Sequence, residues 1–112
     1  MVQAQIRLAI GMEPDLVLWR NHTGGSEEYN AATDTVRHQR FGLAPGSADL
    51  VGILSPTGRF VAFEVKNFAG RARPEQVQWL ALVRKFGGFA CVVRSPEEAR
   101  AALDRARRGE SE

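Results

Sequence analysis

Apolar positions recur along this chain with two different periods. Val2, Ile6, Ala9 and Ile10 recur at helical spacing, and Gly11 with Pro14 supplies a stop, so residues 2 to 12 are expected to form a helix. Leu16-Val17-Leu18-Trp19 has the β-branched and aromatic content of a first strand. The stretch from His22 to Asp34 lacks periodicity and is rich in glycine and polar residues, which predicts a long surface loop. Thr35 to Phe41 alternates weakly and predicts a short strand or ribbon. Asp49 to Leu54 and Arg59 to Lys66 are expected to pair through the turn Ser55-Pro56-Thr57-Gly58. The nearly continuous run Phe60-Val61-Ala62-Phe63 marks the second of these as a strand covered on both faces. Pro74 fits the first turn of a helix whose stripe is Gln76, Trp79, Leu80 and Val83 at i, i+3, i+4 and i+7. Gly87-Gly88 ends that helix, Phe89 to Val93 forms a last strand, and Ser95 with Pro96 caps a final helix through about Ala106. Residues 105 to 112 read as a charged, frayed tail. With Thr35 to Phe41 set aside as a ribbon, the order helix, three strands, helix, strand, helix predicts an α/β fold with a mixed central β-sheet flanked by helices.

With 112 residues, the chain is expected to be a single domain, too short to add a separate specificity domain. Hydrophobic content of 44% with 25% charged residues fits a globular protein rather than a disordered one. Net charge is only +2, yet arginine greatly outnumbers lysine, so a local basic face matters more than the total. The single cysteine, Cys91, lies in the apolar run Phe89 to Val93 and is expected to be a buried free thiol. The first residues have no apolar core of signal-peptide length, and no segment is long enough to cross a membrane; a cytoplasmic protein is expected.

The chemistry gathers between Gly46 and Lys66. In a strand, Glu64 and Lys66 point the same way, roughly 6.5–7 Å apart, while Val65 between them points into the other layer. Hairpin pairing brings Asp49 near them, so two carboxylates and one ammonium converge. Phosphodiester cleavage uses that combination: hard oxygen ligands hold Mg²⁺ or Mn²⁺, and a neighbouring lysine orients or deprotonates water or holds a phosphate oxygen. Charges at the end of a covered strand need a reason to be there. Gly42 to Ser47 forms a tight turn that delivers Asp49. No Walker lysine-serine and no complete GxGxxG follows it, which disfavours a nucleotide cradle. Gln76 heads the buried stripe of its helix and is the glutamine able to reach the site. Arg37 and Arg40 with His38 on the predicted ribbon, and Arg71 and Arg73 after Lys66, are candidate phosphate contacts.

The order Gly-x-x-Asp-Leu, hairpin, Phe-Glu-Val-Lys, Gly-Arg linker, Pro-Glu-Gln-x-x-Trp-Leu and Gly-Gly before a last strand resembles the VRR-NUC family of the PD-(D/E)XK nuclease superfamily. The likeness spans nearly the whole chain, most securely Phe41 to Ala102. It implies a restriction-endonuclease-like core in which Asp49, Glu64 and the Val65 carbonyl hold metal while Lys66 and Gln76 position or activate water. Arg20, Asn21, His22 and the following glycines resemble a turn of phage-type members that lies near the nuclease face, which makes Arg20 a DNA contact and His22 an accessory residue. Gln3 stands where the family usually has a metal-holding acid; it can orient a water but brings no charge.

The resemblance further implies a metal-dependent DNA endonuclease of replication and repair. Its expected substrate is branched, flapped or Holliday-junction DNA, and its expected setting is the host cytoplasm if phage-encoded. Cutting two strands of a junction symmetrically calls for two centres related by a two-fold axis, hence a homodimer. The alternative is a non-catalytic DNA-binding or assembly module that keeps the nuclease fold.

Overall fold

The Phe60–Phe63 run organises the molecule, because its alternate residues enter two separate cores. A computed structural model describes the backbone of residues 2–22 and 24–112, and the side chains of these apart from 24–30 and 37–41. Val61 and Phe63, on β5 (Arg59–Val65), face a cluster with Ile6, Ile10, Leu50, Phe89, Leu103 and their neighbours. Ala62 joins a second cluster with Ala48, Val51, Leu80 and Ala90, against which Phe60 and Trp79 also pack. Phe63 and Phe89 are completely buried, with ring centroids 5.9 Å apart. Removing each such ring from water contributes about 1.5–3 kcal/mol.

Three helices cover the two faces. The first cluster is closed by α1 (Val2–Ile10) and α3 (Pro96–Arg107), and the second by α2 (Pro74–Lys85). The sheet between them has the order β1 (Leu16–Arg20), β4 (Leu50–Leu54), β5 and β6 (Phe89–Val93). β1 and β5 both run antiparallel to β4, while β6 runs parallel to β5. This is the expected mixed sheet flanked by helices. The hairpin pairs Leu50 with Phe63, which leaves Asp49 and Glu64 side by side just past the ladder. Lys66 N–H extends the parallel ladder by donating to Val93 O at 3.1 Å.

Three expectations change. The helix at the start ends at Ile10 rather than residue 12, and Gly11 N–H closes it onto Arg7 O. A Cβ at Gly11 would stand 2.4 Å from that carbonyl, so a glycine is required where the chain leaves the helix. The expected loop from 22 to 34 instead contains β2 (Gly24–Asn30), which pairs antiparallel with β3 (Thr35–Phe41) from Gly24–Phe41 to Asn30–Thr35. The backbone ladder with β3 makes this ribbon, and no apolar alternation announces it. The ribbon is a separate two-stranded sheet, and the molecule measures 55 × 30 × 28 Å with a radius of gyration of 16.0 Å. A compact domain of this length would have a radius near ~13 Å.

The third change concerns the tail, which is attached rather than frayed. Ser111 O accepts from Ala90 N–H at 3.0 Å, Glu112 O accepts from Arg105 Nε at 3.1 Å, and the Glu112 carboxylate lies 3.2 Å from Arg84. Cys91 is buried, as expected, and burial pushes its thiol up to about 11. Among the described residues, no helix is long and apolar enough to cross a membrane.

Candidate active site

The end of the β4–β5 hairpin brings Asp49, Glu64 and Lys66 together through crossed contacts. Asp49 Oδ2 accepts from the backbone N–H of Val65 at 2.9 Å, and Glu64 Oε1 accepts from the backbone N–H of Asp49 at 3.2 Å. Each acid is therefore held by the other's strand. Lys66 Nζ lies 3.8 Å from Glu64 Oε2. Glu64 is 1% exposed, and its Oε2 is a buried side-chain oxygen without a hydrogen-bond partner among the described residues. Burial is the main cause that raises the Glu64 pKa to about 8; contact with the Asp49 carboxylate adds to it, and Lys66 pulls the other way. A buried carboxylate beside a second carboxylate is unfavourable unless a proton or a cation neutralises it.

The loop before Asp49 is fixed by Asn21, which follows the last residue of β1. Its Nδ2 donates to Ser47 Oγ at 2.8 Å and to Ala48 O at 2.9 Å, and its Oδ1 accepts from Leu43 N–H at 3.2 Å. Its backbone N–H donates to Asp49 O at 2.7 Å. Ser47, buried, donates in turn to Ala44 O at 2.6 Å. Gly46, at φ +82°, lies against the start of α2, and a Cβ there would come within 2.7 Å of Glu75 O. Asn21 and Ser47 are positioning residues: the sequence places Asn21 in a turn near the site by resemblance, but gives neither residue this role.

Alternation puts Glu64 on the same face as Ala62, toward α2, and there Gln76 is buried. Gln76 Oε1 accepts from the N–H of Arg73 at 2.8 Å, so its carbonyl closes the first turn of α2. Val65 faces the other layer, as expected, where it packs against the first cluster. Gln3 is half-buried on α1, in the layer opposite Glu64. Arg20 is exposed and pairs in register with Leu50, one residue from Asp49, and His22 is exposed just beyond Asn21. Arg71 and Arg73 are exposed after Lys66, with Arg73 Nε 3.3 Å from Glu75. The side chains of Arg37, His38 and Arg40 lie outside the described residues.

The donor set suits a hard divalent cation, with two carboxylates, one carrying an unpartnered oxygen, beside a lysine. Among the described residues, no group of three or more His, Cys, Asp or Glu side chains is placed to hold a metal, so carbonyls and waters would complete the coordination. Comparison with protein-family models and with curated proteins finds no match to this chain.

Proposed function

We propose that this chain is a divalent-metal-dependent endonuclease that cleaves DNA phosphodiester bonds, with a PD-(D/E)XK core of the VRR-NUC kind. The observation that carries this reading is the unpartnered oxygen of fully buried Glu64, set beside Asp49 and Lys66. Asp49 and Glu64 would hold Mg²⁺ or Mn²⁺, joined by the Val65 carbonyl. When bound, the cation activates water and neutralises charge that develops on the scissile phosphate.

Lys66 is the group for the phosphate oxygen or the water proton, since its stem starts on the face of Glu64. Gln76, whose Oε1 is committed to Arg73 N–H, keeps its amide Nε2 to orient water or phosphate. Arg20, Arg71 and Arg73 would meet the DNA backbone, with Arg37 and Arg40 on the ribbon and His22 as an accessory group, while Gln3 lies in the opposite layer and is given no role. The substrate class is branched or flapped DNA in replication and repair. The acting species is a homodimer, because a symmetric cut needs a second centre.

A plasmid-nicking assay with Mg²⁺, Mn²⁺ or EDTA tests the reading. Cleavage is expected only with metal, and Asp49→Asn or Glu64→Gln should reduce it by on the order of 10³-fold while the fold persists. DNA binding without cleavage in any metal would leave a DNA-binding module. Unchanged cleavage by purified Asp49→Asn protein would rule out the site.

A further inference from the structure

Two residues beyond Lys66 the chain turns, and the turn holds out Phe68, which is 97% exposed. The turn is fastened on both sides. Asn67 Oδ1 accepts from Ala69 N–H at 3.2 Å and from Gly70 N–H at 2.7 Å. From the end of β6, Arg94 Nη1 donates to Asn67 O at 2.8 Å and also to Gly70 O. The fit beside Asn67 is close, since a Cβ at Gly70 would stand 3.0 Å from Asn67 Oδ1. The ring is thus presented on fixed backbone, which lowers the ordering entropy that binding a partner would require. Cations lie nearby in the chain: Lys66 two positions before it, and exposed Arg71 and Arg73 three and five positions after.

An exposed aromatic ring on a basic rim has the makeup of surfaces that bind single-stranded nucleic acid, where bases stack on rings and cations follow the phosphates. Paired duplex offers no free base face, whereas a flap or branch point does. We infer that Phe68 is a stacking platform for an unpaired nucleobase, which sets the single-stranded part of a branched or flapped substrate beside Asp49 and Glu64. The inference rests on the nuclease reading for its location and names the feature of DNA that the site selects.

The test uses the whole chain and a DNA flap carrying 2-aminopurine at its first unpaired position, in EDTA and again in Ca²⁺. Binding should change the 2-aminopurine fluorescence as the base stacks. Phe68→Ala should weaken flap binding about tenfold and leave plain-duplex binding within about twofold, while Phe68→Trp restores the flap affinity and the fluorescence change. Equal flap affinity and fluorescence for wild type and Phe68→Ala would overturn the platform. So would an equal loss on flap and duplex, which marks a general backbone contact. A change of oligomeric state on light scattering with unaltered fluorescence would also overturn it, in favour of contact between two copies of the chain. The readout needs no cleavage, so a protein that stacks the base yet never cuts keeps the platform and loses only the nuclease reading.

Discussion

The two ends of the sheet each carry a cluster in which acids outnumber the base, and they resolve the excess in opposite ways. At the turn end, Arg107 binds Asp15 through two hydrogen bonds of 2.8 Å, Asp104 through one of 2.8 Å, and lies 3.4 Å from Glu13. Both Arg107 and Asp15 are about a third exposed. The hydrogen bond from Arg107 holds the Asp15 carboxyl below its usual range. Water screens the surplus charge there, and the cluster simply ties α3 to the start of β1. At the hairpin end, one lysine faces two acids, and Glu64 is shut away from solvent with an oxygen unpartnered. The composition is similar in the two clusters, so burial makes the difference: only in the dry one is an acid left with an unpartnered oxygen and a raised pKa.

The pH dependence of stability should separate the clusters most sharply. With its pKa raised from 4.5 to about 8, Glu64 keeps a proton in the folded protein that the unfolded chain has released. Metal-free protein should therefore have its full stability near pH 4.5, lose on the order of a few kcal/mol as pH rises, and complete that loss above about pH 8. Urea unfolding at pH 5, 6.5 and 8 measures the slope. Glu64→Gln should abolish most of it, and Mn²⁺ should flatten it in the wild type; an identical slope in Glu64→Gln would place its origin elsewhere. Arg107→Gln should leave the slope in place.

A smaller effect is expected at Asn21, whose side chain holds Ser47 and the backbone of Leu43 and Ala48 before Asp49. Asn21→Ala should weaken metal binding by about 10- to 100-fold, the range for groups that orient ligands. Terbium luminescence titration reads this without any substrate. An unchanged titration in a folded variant would mean that Asp49 keeps its place without Asn21.

The smallest effect is expected at the screened cluster. Arg107→Ala should destabilise by about 1 kcal/mol, as exposed ion networks do, with nicking activity within twofold of wild type. A loss of activity at constant stability would mean that the two ends of the sheet communicate.

The legible parts of the molecule are those where burial leaves a periodic trace. Val61, Phe63 and Phe89 announce the central strands, and the abrupt change from Phe63 to Glu64-Val65-Lys66 marks the site. β2 leaves no such trace, because Gly-Gly-Ser-Glu-Glu-Tyr-Asn has no apolar alternation and a single strong strand former, Tyr29. Asn21 is half legible: the resemblance places its turn near the nuclease face, but its partners Ser47 and Ala48 lie 26 and 27 positions away, and only the β1–β4 pairing brings them together. Gln76 is half legible. Its place on the buried stripe follows from spacing, but a glutamine two positions after Pro74 is also a capping-box residue, and that use of its carbonyl emerges only from the helix start itself.

The attachment of Ser111 and Glu112 also bears on how this protein can assemble. A strand at the border of a sheet offers its backbone as a template on which another chain can polymerise. On β6 that template is already taken near its start, where Ala90 N–H is bound by Ser111 and Ala90 C=O accepts from Arg84 Nε at 2.8 Å. Arg84 also holds Glu112, so unzipping the tail breaks an ion pair as well as a ladder bond. Sheet-to-sheet association through this part of β6 is thereby disfavoured.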